Sequence, residues 1–123
     1  MRAPAGKPHA PGPFGRRILI DAEKRLLAAA ANSGTAVIVN RPFAEGALFS
    51  KVRGRTLPPW AAEFDCGSWA QFFLKFILGH PAVTCTIPGT GKVSHMIDNL
   101  KAGAGRLPGE QQRKRMAGLI RDL

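Results

Sequence analysis

The residues best suited to bind a ligand form a short glycine-rich turn, Pro-Gly-Thr-Gly-Lys at 88–92. This turn follows the apolar run 82–87 and precedes the helical pattern 93–100. The first turn of a helix has unpaired backbone N–H groups and the positive end of the helix dipole, and Lys92 adds a full positive charge. The pattern predicts a site for an anionic ligand such as a phosphate, with a plain strand-to-helix turn as the alternative.

The turn matches neither of the two common phosphate-binding motifs. The first glycine of a Walker A motif falls on Thr86, and the residue after the lysine is Val93 rather than Ser or Thr. The dinucleotide fingerprint lacks its third glycine, because Gly91 is followed by Lys-Val-Ser. The prediction of an anion site therefore depends on the chemistry and position of the turn alone.

A second polar loop follows an apolar run earlier in the chain. The run 35–39 is rich in β-branched residues, which suits a parallel strand covered on both faces, and it ends at the loop 40–46. Between the two runs, a capping signature at Ser68 and a wide apolar arc over 69–78 predict a helix. Two parallel strands joined by a helix, each ending in a polar loop, indicate a phosphate-bearing cofactor.

Turn and cap signals predict the remaining elements. The proline- and glycine-rich residues 1–20 are expected to form a disordered tail, and a helix is expected from an N-cap at Asp21 to Gly34. The segment 40–67 is expected to be long and irregular. Helices are then predicted over 93–102 and, with Pro108 at its first position, to about residue 120. Residues 21–123 thus form one βαβ unit with flanking helices, of the α/β class.

The charge balance indicates an alternative function. The chain has 18 Lys and Arg against 8 Asp and Glu, and the resulting net charge of +10 suits a protein that contacts nucleic acid. These basic residues are spread along the chain, including Arg113, Lys114 and Arg115, and no nucleic-acid-binding motif accompanies them. A small basic module that contacts nucleic-acid phosphates remains the alternative.

Side chains for other chemistry are scarce. Cys66 and Cys85 lack the spacing of metal ligands, and Cys85 is expected to be buried in its strand. Two cysteines without metal-ligand spacing fit a reducing cytosol, so a cytoplasmic protein is expected. No apolar run approaches the roughly 20 residues of a membrane span. The few carboxylates form no evident acid–base pair, and the chain has no tyrosine.

Several segments resemble the C-terminal part of the aldo/keto reductases. The loop 41–43 (Arg-Pro-Phe) is similar to the Ser-Pro-Leu-type loop after the seventh strand of that family. Residues 87–90 (Ile-Pro-Gly-Thr) match the eighth strand and its turn, and 98–100 (Asp-Asn-Leu) resemble a Glu-Asn-Leu helix end. The resemblance covers about residues 21–107.

This resemblance implies a partial (β/α)8 TIM barrel, comprising roughly the last two βα units and a C-terminal helix. It implies a share of an NADP(H) site, a nicotinamide dinucleotide as partner, and a small carbonyl substrate in the parent family. The cofactor-binding residues would be Asn40, Arg41, Pro42, Phe43, Pro88, Gly89, Thr90, Lys92, His95, Asp98 and Asn99.

The chain has no counterpart of the region that supplies the family's catalytic Asp, Tyr, Lys and His. We therefore expect a C-terminal fragment that lacks reductase activity. The apolar helix 69–78 is expected to need cover from further protein, so that Trp69, Phe72, Phe73 and Phe76 expose apolar surface and the chain self-associates.

Overall fold

The computed structural model describes residues 23–123. The predicted disordered tail at 1–20 and the predicted helix start at Asp21 lie outside the described residues. A π-helical turn, Glu23–Leu27, leads into helix α1, Ala28–Asn32. Gly34 ends this helix with a φ of 66°, a left-handed conformation that glycine adopts without steric cost. The predicted end of the first helix is thereby confirmed.

Two short parallel strands form the sheet of the described part of the chain. Strand β1, Ile38–Asn40, pairs with β2, Cys85–Ile87, so that Ile38 lies opposite Cys85 and Asn40 opposite Ile87. The parallel pairing confirms the predicted βαβ unit. Both strands are three residues long, shorter than the apolar runs 35–39 and 82–87 that predicted them.

The expectation that the first strand is covered on both faces is wrong. Ile38 is 59% exposed and Ile87 is 58% exposed, whereas Val39 and Thr86 on the opposite face are half-buried. Cys85 lies on the open face and is exposed, so its predicted burial is also wrong. The reason is that the helices of the described residues cover only one face of a two-stranded sheet.

The central helix α3, Trp69–Leu78, connects the two strands as predicted. Its N-cap is Ser68, whose Oγ accepts a hydrogen bond from the backbone N–H of Gln71 at 3.1 Å. The Gln71 side chain returns to the backbone N–H of Gly67 at 2.9 Å, one residue before the position that a capping box requires. Residues 71–77 are all buried, so α3 is the centre of the core.

The apolar side of α3 is covered by the chain itself, contrary to the expectation that further protein is needed. Phe72, Phe73 and Phe76 have almost no exposed surface. The covering residues come largely from the segment 40–67, which is not irregular as predicted. The core consists of Leu48, Val52, Ala61, Phe64, Cys66, Phe72, Phe73, Phe76, Ile77, Met116 and Ile120.

Three helical pieces occupy the segment 40–67. A 3₁₀ turn, Ala44–Gly46, precedes helix α2, Ala47–Val52, and a longer 3₁₀ helix follows at Pro59–Phe64. Leu48 and Val52 are four residues apart, which places both on the buried side of α2. These pieces turn an apparent loop into part of the core.

The C-terminal half supplies two further helices. Helix α4, Val93–Lys101, is close to its predicted range, and helix α5 is Glu110–Arg121. Pro108 is not the first residue of α5, because Gly109 is the N-cap and its N–H donates to Gln112 Oε1 at 2.9 Å. None of the helices within residues 23–123 has the length and apolar character to cross a membrane.

A buried lysine fixes the connection between α4 and α5. Lys75 has no exposed surface, and its Nζ donates to the carbonyl oxygens of Ala104 and Arg106 at 2.8 and 2.9 Å. Burial lowers the pKa of the Lys75 ammonium. Next to it, the Arg106 guanidinium forms an ion pair with Asp65. These contacts attach the 103–109 segment to α3 through Lys75 and to the end of the 3₁₀ helix Pro59–Phe64 through Asp65.

Candidate functional site

A cavity of about 490 Å³ lies where the carboxyl ends of the two strands meet. Parallel strands bring the loops that follow them to the same edge of a sheet, which is where open α/β proteins bind ligands. The loop after β1 and the turn after β2 both contribute walls. The lining residues are Asn40, Arg41, Pro42, Phe43, Glu45, Gly46, Phe49, Ile87 and Gly89.

The loop after β1 has an unusual backbone. Arg41, Ala44 and Glu45 have φ values of 53°, 51° and 57°, in the left-handed region that residues with a Cβ rarely adopt. Such conformations cost on the order of 1 kcal/mol each and cluster at ligand sites. The Arg41 Nη1 donates to Glu45 Oε1 at 2.6 Å, so these two side chains form an ion pair at the cavity wall.

Aromatic rings form the apolar part of the cavity. The Phe43 and Phe49 ring centroids lie 4.7 Å apart at an interplanar angle of 54°. Phe49 also meets Phe73 of the core edge-on, with centroids 6.1 Å apart. This chain of rings joins the cavity wall to the buried side of α3, which holds the wall in place. An aromatic wall of this kind suits a planar ring of a ligand.

The glycine-rich turn after β2 is open to a ligand. A Cβ built on Gly89 or on Gly91 would meet no atom within 4 Å, so the backbone there is approachable. Thr90 Oγ1 accepts from the backbone N–H of Lys92 at 3.2 Å, which shapes the turn. Lys92 is the N-cap of α4 and its side chain is exposed. The turn therefore combines approachable backbone with a cation at a helix start.

The structure brings five of the predicted site residues to the cavity: Asn40, Arg41, Pro42, Phe43 and Gly89. Pro88, Thr90 and Lys92 belong to the adjoining turn, and His95 is exposed on the first turns of α4. Asp98 and Asn99 lie further along α4. Their predicted contact with the adenine of a cofactor stays a prediction.

Asp98 already has partners within the protein. Its Oδ2 accepts from Ser68 Oγ and its Oδ1 from Gln71 Nε2, each at 2.7 Å. Asn99 is buried on the same side of α4. The contacts of Asp98 give it a structural role in joining α4 to the start of α3.

Four lining residues were not among the predicted site residues: Glu45, Gly46, Phe49 and Ile87. Phe49 lies in α2, inside the segment that the prediction left irregular. The apolar spacing of Leu48, Phe49 and Val52 is a helical signal that could have revealed it. Glu45 had no comparable signal, because its contact with Arg41 depends on the left-handed backbone between them.

The basic residues of the alternative function have partners of their own. The Arg113 Nε donates to the carbonyl oxygen of Phe76 at 2.9 Å, and Lys114 pairs with Glu110 at 2.8 Å. The Arg115 guanidinium lies over the Trp60 ring, 4.3 Å from its centroid. Among the described side chains, those of residues 25–123, no group of three potential ligands is placed to hold a metal ion.

Comparison with known proteins adds no relative: no protein-family model, curated protein or solved structure matches the chain.

Proposed function

We propose that the cavity between the 40–46 loop and the 88–92 turn binds NADP(H), as part of an aldo/keto-reductase-like (β/α)8 barrel. One observation carries the proposal. The 40–46 loop and Gly89 of the 88–92 turn, two segments predicted from the sequence and separated by 41 residues, line one cavity at the carboxyl ends of parallel strands. The open apolar face of the sheet supports the barrel, because parallel sheets are normally covered on both faces.

The residues around the cavity fit parts of the cofactor. Arg41 and Lys92 are cations suited to phosphate groups, and the approachable backbone of Gly89 and Gly91 allows a phosphate close contact. The ring of Phe49 offers a flat apolar surface. The volume of about 490 Å³ lies within the range of about 300–1,000 Å³ that is usual for small-molecule sites.

Hydride transfer would be the chemistry of the bound nicotinamide. In this proposal the residues of this chain bind and orient the cofactor, but they do not supply all the groups that a reductase needs. Reduction of a carbonyl also needs a positioned proton donor. The chain has no tyrosine, and no carboxylate other than Glu45 lines the cavity. We therefore assign the chain cofactor binding without turnover, in the reducing cytoplasm that its unpaired cysteines suit.

Affinities of single variants test this proposal. NADP⁺ and NAD⁺ are titrated into the protein by calorimetry, with Lys92→Ala and Arg41→Ala as the test variants and Arg121→Ala, an exposed cation at the end of α5, as the matched control. Each lost charge-assisted contact should weaken NADP⁺ binding by about tenfold or more. Equal weakening by Arg121→Ala, or no preference for NADP⁺ over NAD⁺, would contradict the proposal.

A further inference from the structure

Helix α4 presents an apolar stripe to solvent. Val93, Ile97 and Leu100 expose 77%, 53% and 68% of their surface, and Met96 is exposed beside them. The spacing i, i+3, i+4, i+7 places these four side chains within an arc of about 100° on one side of the helix. We call Val93, Met96, Ile97 and Leu100 the α4 stripe.

The orientation of α4 is the reverse of that of an ordinary surface helix, which turns its apolar face inward. Its inward face carries Asp98, which accepts hydrogen bonds from Ser68 and Gln71 at 2.7 Å, and the buried Asn99. The hydrogen bonds of Asp98 hold this orientation. The apolar face of α4 is therefore available to bind a group outside the described residues.

The ends of the α4 stripe are positively charged. Lys92 precedes Val93 and Lys101 follows Leu100, and both side chains are exposed. Among the side chains of residues 25–123, no carboxylate lies within salt-bridge distance of either lysine. The one acidic residue of the helix, Asp98, faces α3 instead.

We propose that the α4 stripe binds an amphipathic helix of another protein, whose apolar face is flanked by Asp or Glu. The spacing of the stripe is that of the anchors by which two helices meet along one face. Acidic flanks would complement the lysines at its two ends. A second copy of this chain fits the α4 stripe less well. Two α4 helices packed face to face, parallel or antiparallel, place lysine next to lysine, and each chain carries a net charge of +10.

The test is a selection from a displayed library of helical peptides with a fixed apolar face and randomised flanks. Peptides selected on the wild-type protein should carry Asp or Glu at the flanks. Ile97→Asp should weaken their binding by about tenfold or more. Lys101→Glu should weaken it by about threefold to tenfold and, in a fresh selection, favour Lys or Arg at one flank. Lys101 is varied because Lys92 belongs to the proposed cofactor site.

Matched controls distinguish binding at the α4 stripe from nonspecific hydrophobic binding. Leu107→Asp changes an exposed leucine outside the stripe, and Arg121→Glu reverses a cation in the last turn of α5; neither should alter binding. Thermal melts establish that each variant is folded. Selected flanks without acidic preference, or binding that survives Ile97→Asp, would overturn the proposal. So would Ile97-dependent binding to phosphatidylserine vesicles in place of peptides, or an Ile97-dependent dimer in sedimentation.

Discussion

At the scale of single residues, Asp65 and Gly105 together fix the segment between α4 and α5. The Asp65 carboxylate accepts from the Arg106 backbone N–H at 2.9 Å and from its guanidinium at 3.0 and 3.1 Å. Gly105 has a φ of 71°, and a Cβ there would lie 2.8 Å from Asp65 Oδ2. A residue with a side chain therefore cannot enter position 105 without disturbing the ion pair.

We predict that Gly105→Ala lowers the free energy of unfolding by about 1–3 kcal/mol, from the left-handed backbone and the close contact together. Gly118→Ala is the matched control, because Gly118 lies within α5 and a Cβ there would meet no atom within 4 Å. This second change should raise the free energy of unfolding by about 0.5–1 kcal/mol. Urea denaturation measures both; equal effects of the two changes would argue against this structure of the 103–109 segment.

The same ion pair predicts a dependence of stability on pH. Hydrogen bonds from the Arg106 side chain and backbone hold the pKa of the Asp65 carboxyl well below its usual range. A carboxyl whose pKa is lowered by folding stabilises the protein above its unfolded pKa of about 3.9, and this contribution disappears as the pH falls toward the folded pKa. Asp65→Asn should therefore be less stable than wild type at about pH 6, and the difference should shrink below about pH 4.

Asparagine also tolerates the left-handed backbone that Asp65 adopts, with a φ of 52°. The substitution thus changes the charge while keeping the conformation. Denaturation curves of both proteins at several pH values are the measurement. A difference in stability that is the same at every pH would show that the charge of Asp65 does not contribute.

At the scale of elements, α3 and α4 are joined by two hydrogen bonds to Asp98, one from Ser68 at the N-cap of α3 and one from Gln71 in its first turn. Ser68 both caps α3 and donates to Asp98 of α4 at 2.7 Å. Ser68→Ala should cost about 1–2 kcal/mol of stability, because it removes the cap and the contact between the helices. A double-mutant cycle with Asp98→Ala should give a coupling free energy of about 0.5 kcal/mol or more. Additive effects would mean that the two helices do not depend on this contact.

The elements differ in how far their sequences determine them. Helix α3 could be predicted because its cap at Ser68 and its apolar spacing are local signals. Helix α2 was missed because Gly46, Gly54 and the prolines at 58 and 59 dominate the composition around it. The exposure of Ile38 and Cys85 could not be read from their strands, since it depends on which distant elements cover the sheet.

At the scale of the whole molecule, the described chain closes a core around α3 but leaves two apolar surfaces open. One is the sheet face with Ile38 and Ile87, and the other is the α4 stripe. The sequence predicted exposed apolar surface but assigned it to the aromatic residues of α3, of which Phe72, Phe73 and Phe76 are buried and Trp69 is half-buried. The 40–46 loop and Gly89 of the 88–92 turn border one cavity. That these two loops form one ligand site, and that the site binds a nucleotide, stays a prediction.

The missing proton donor gives a prediction about activity. The chain should not oxidise NADPH in the presence of aldehydes or ketones, because no tyrosine is available to protonate the carbonyl oxygen. Absorbance of NADPH is followed with a panel of carbonyl compounds, and a Gly89→Ala, Lys92→Ala double variant provides the baseline. Turnover by the wild-type chain clearly above that baseline would place a proton donor among residues we have not assigned.

The most direct test of the central claim is chemical-shift mapping with NADP⁺ and NAD⁺ on the isotope-labelled chain. If the cavity receives the cofactor, amide shifts should concentrate in the 40–46 loop and the 88–92 turn. NADP⁺ should perturb Gly89, Gly91 and Lys92 more strongly than NAD⁺ does, because only its extra phosphate reaches the lysine and the helix start. Equal responses to the two nucleotides, or shifts centred on 113–115 of α5, would contradict the assignment of this site.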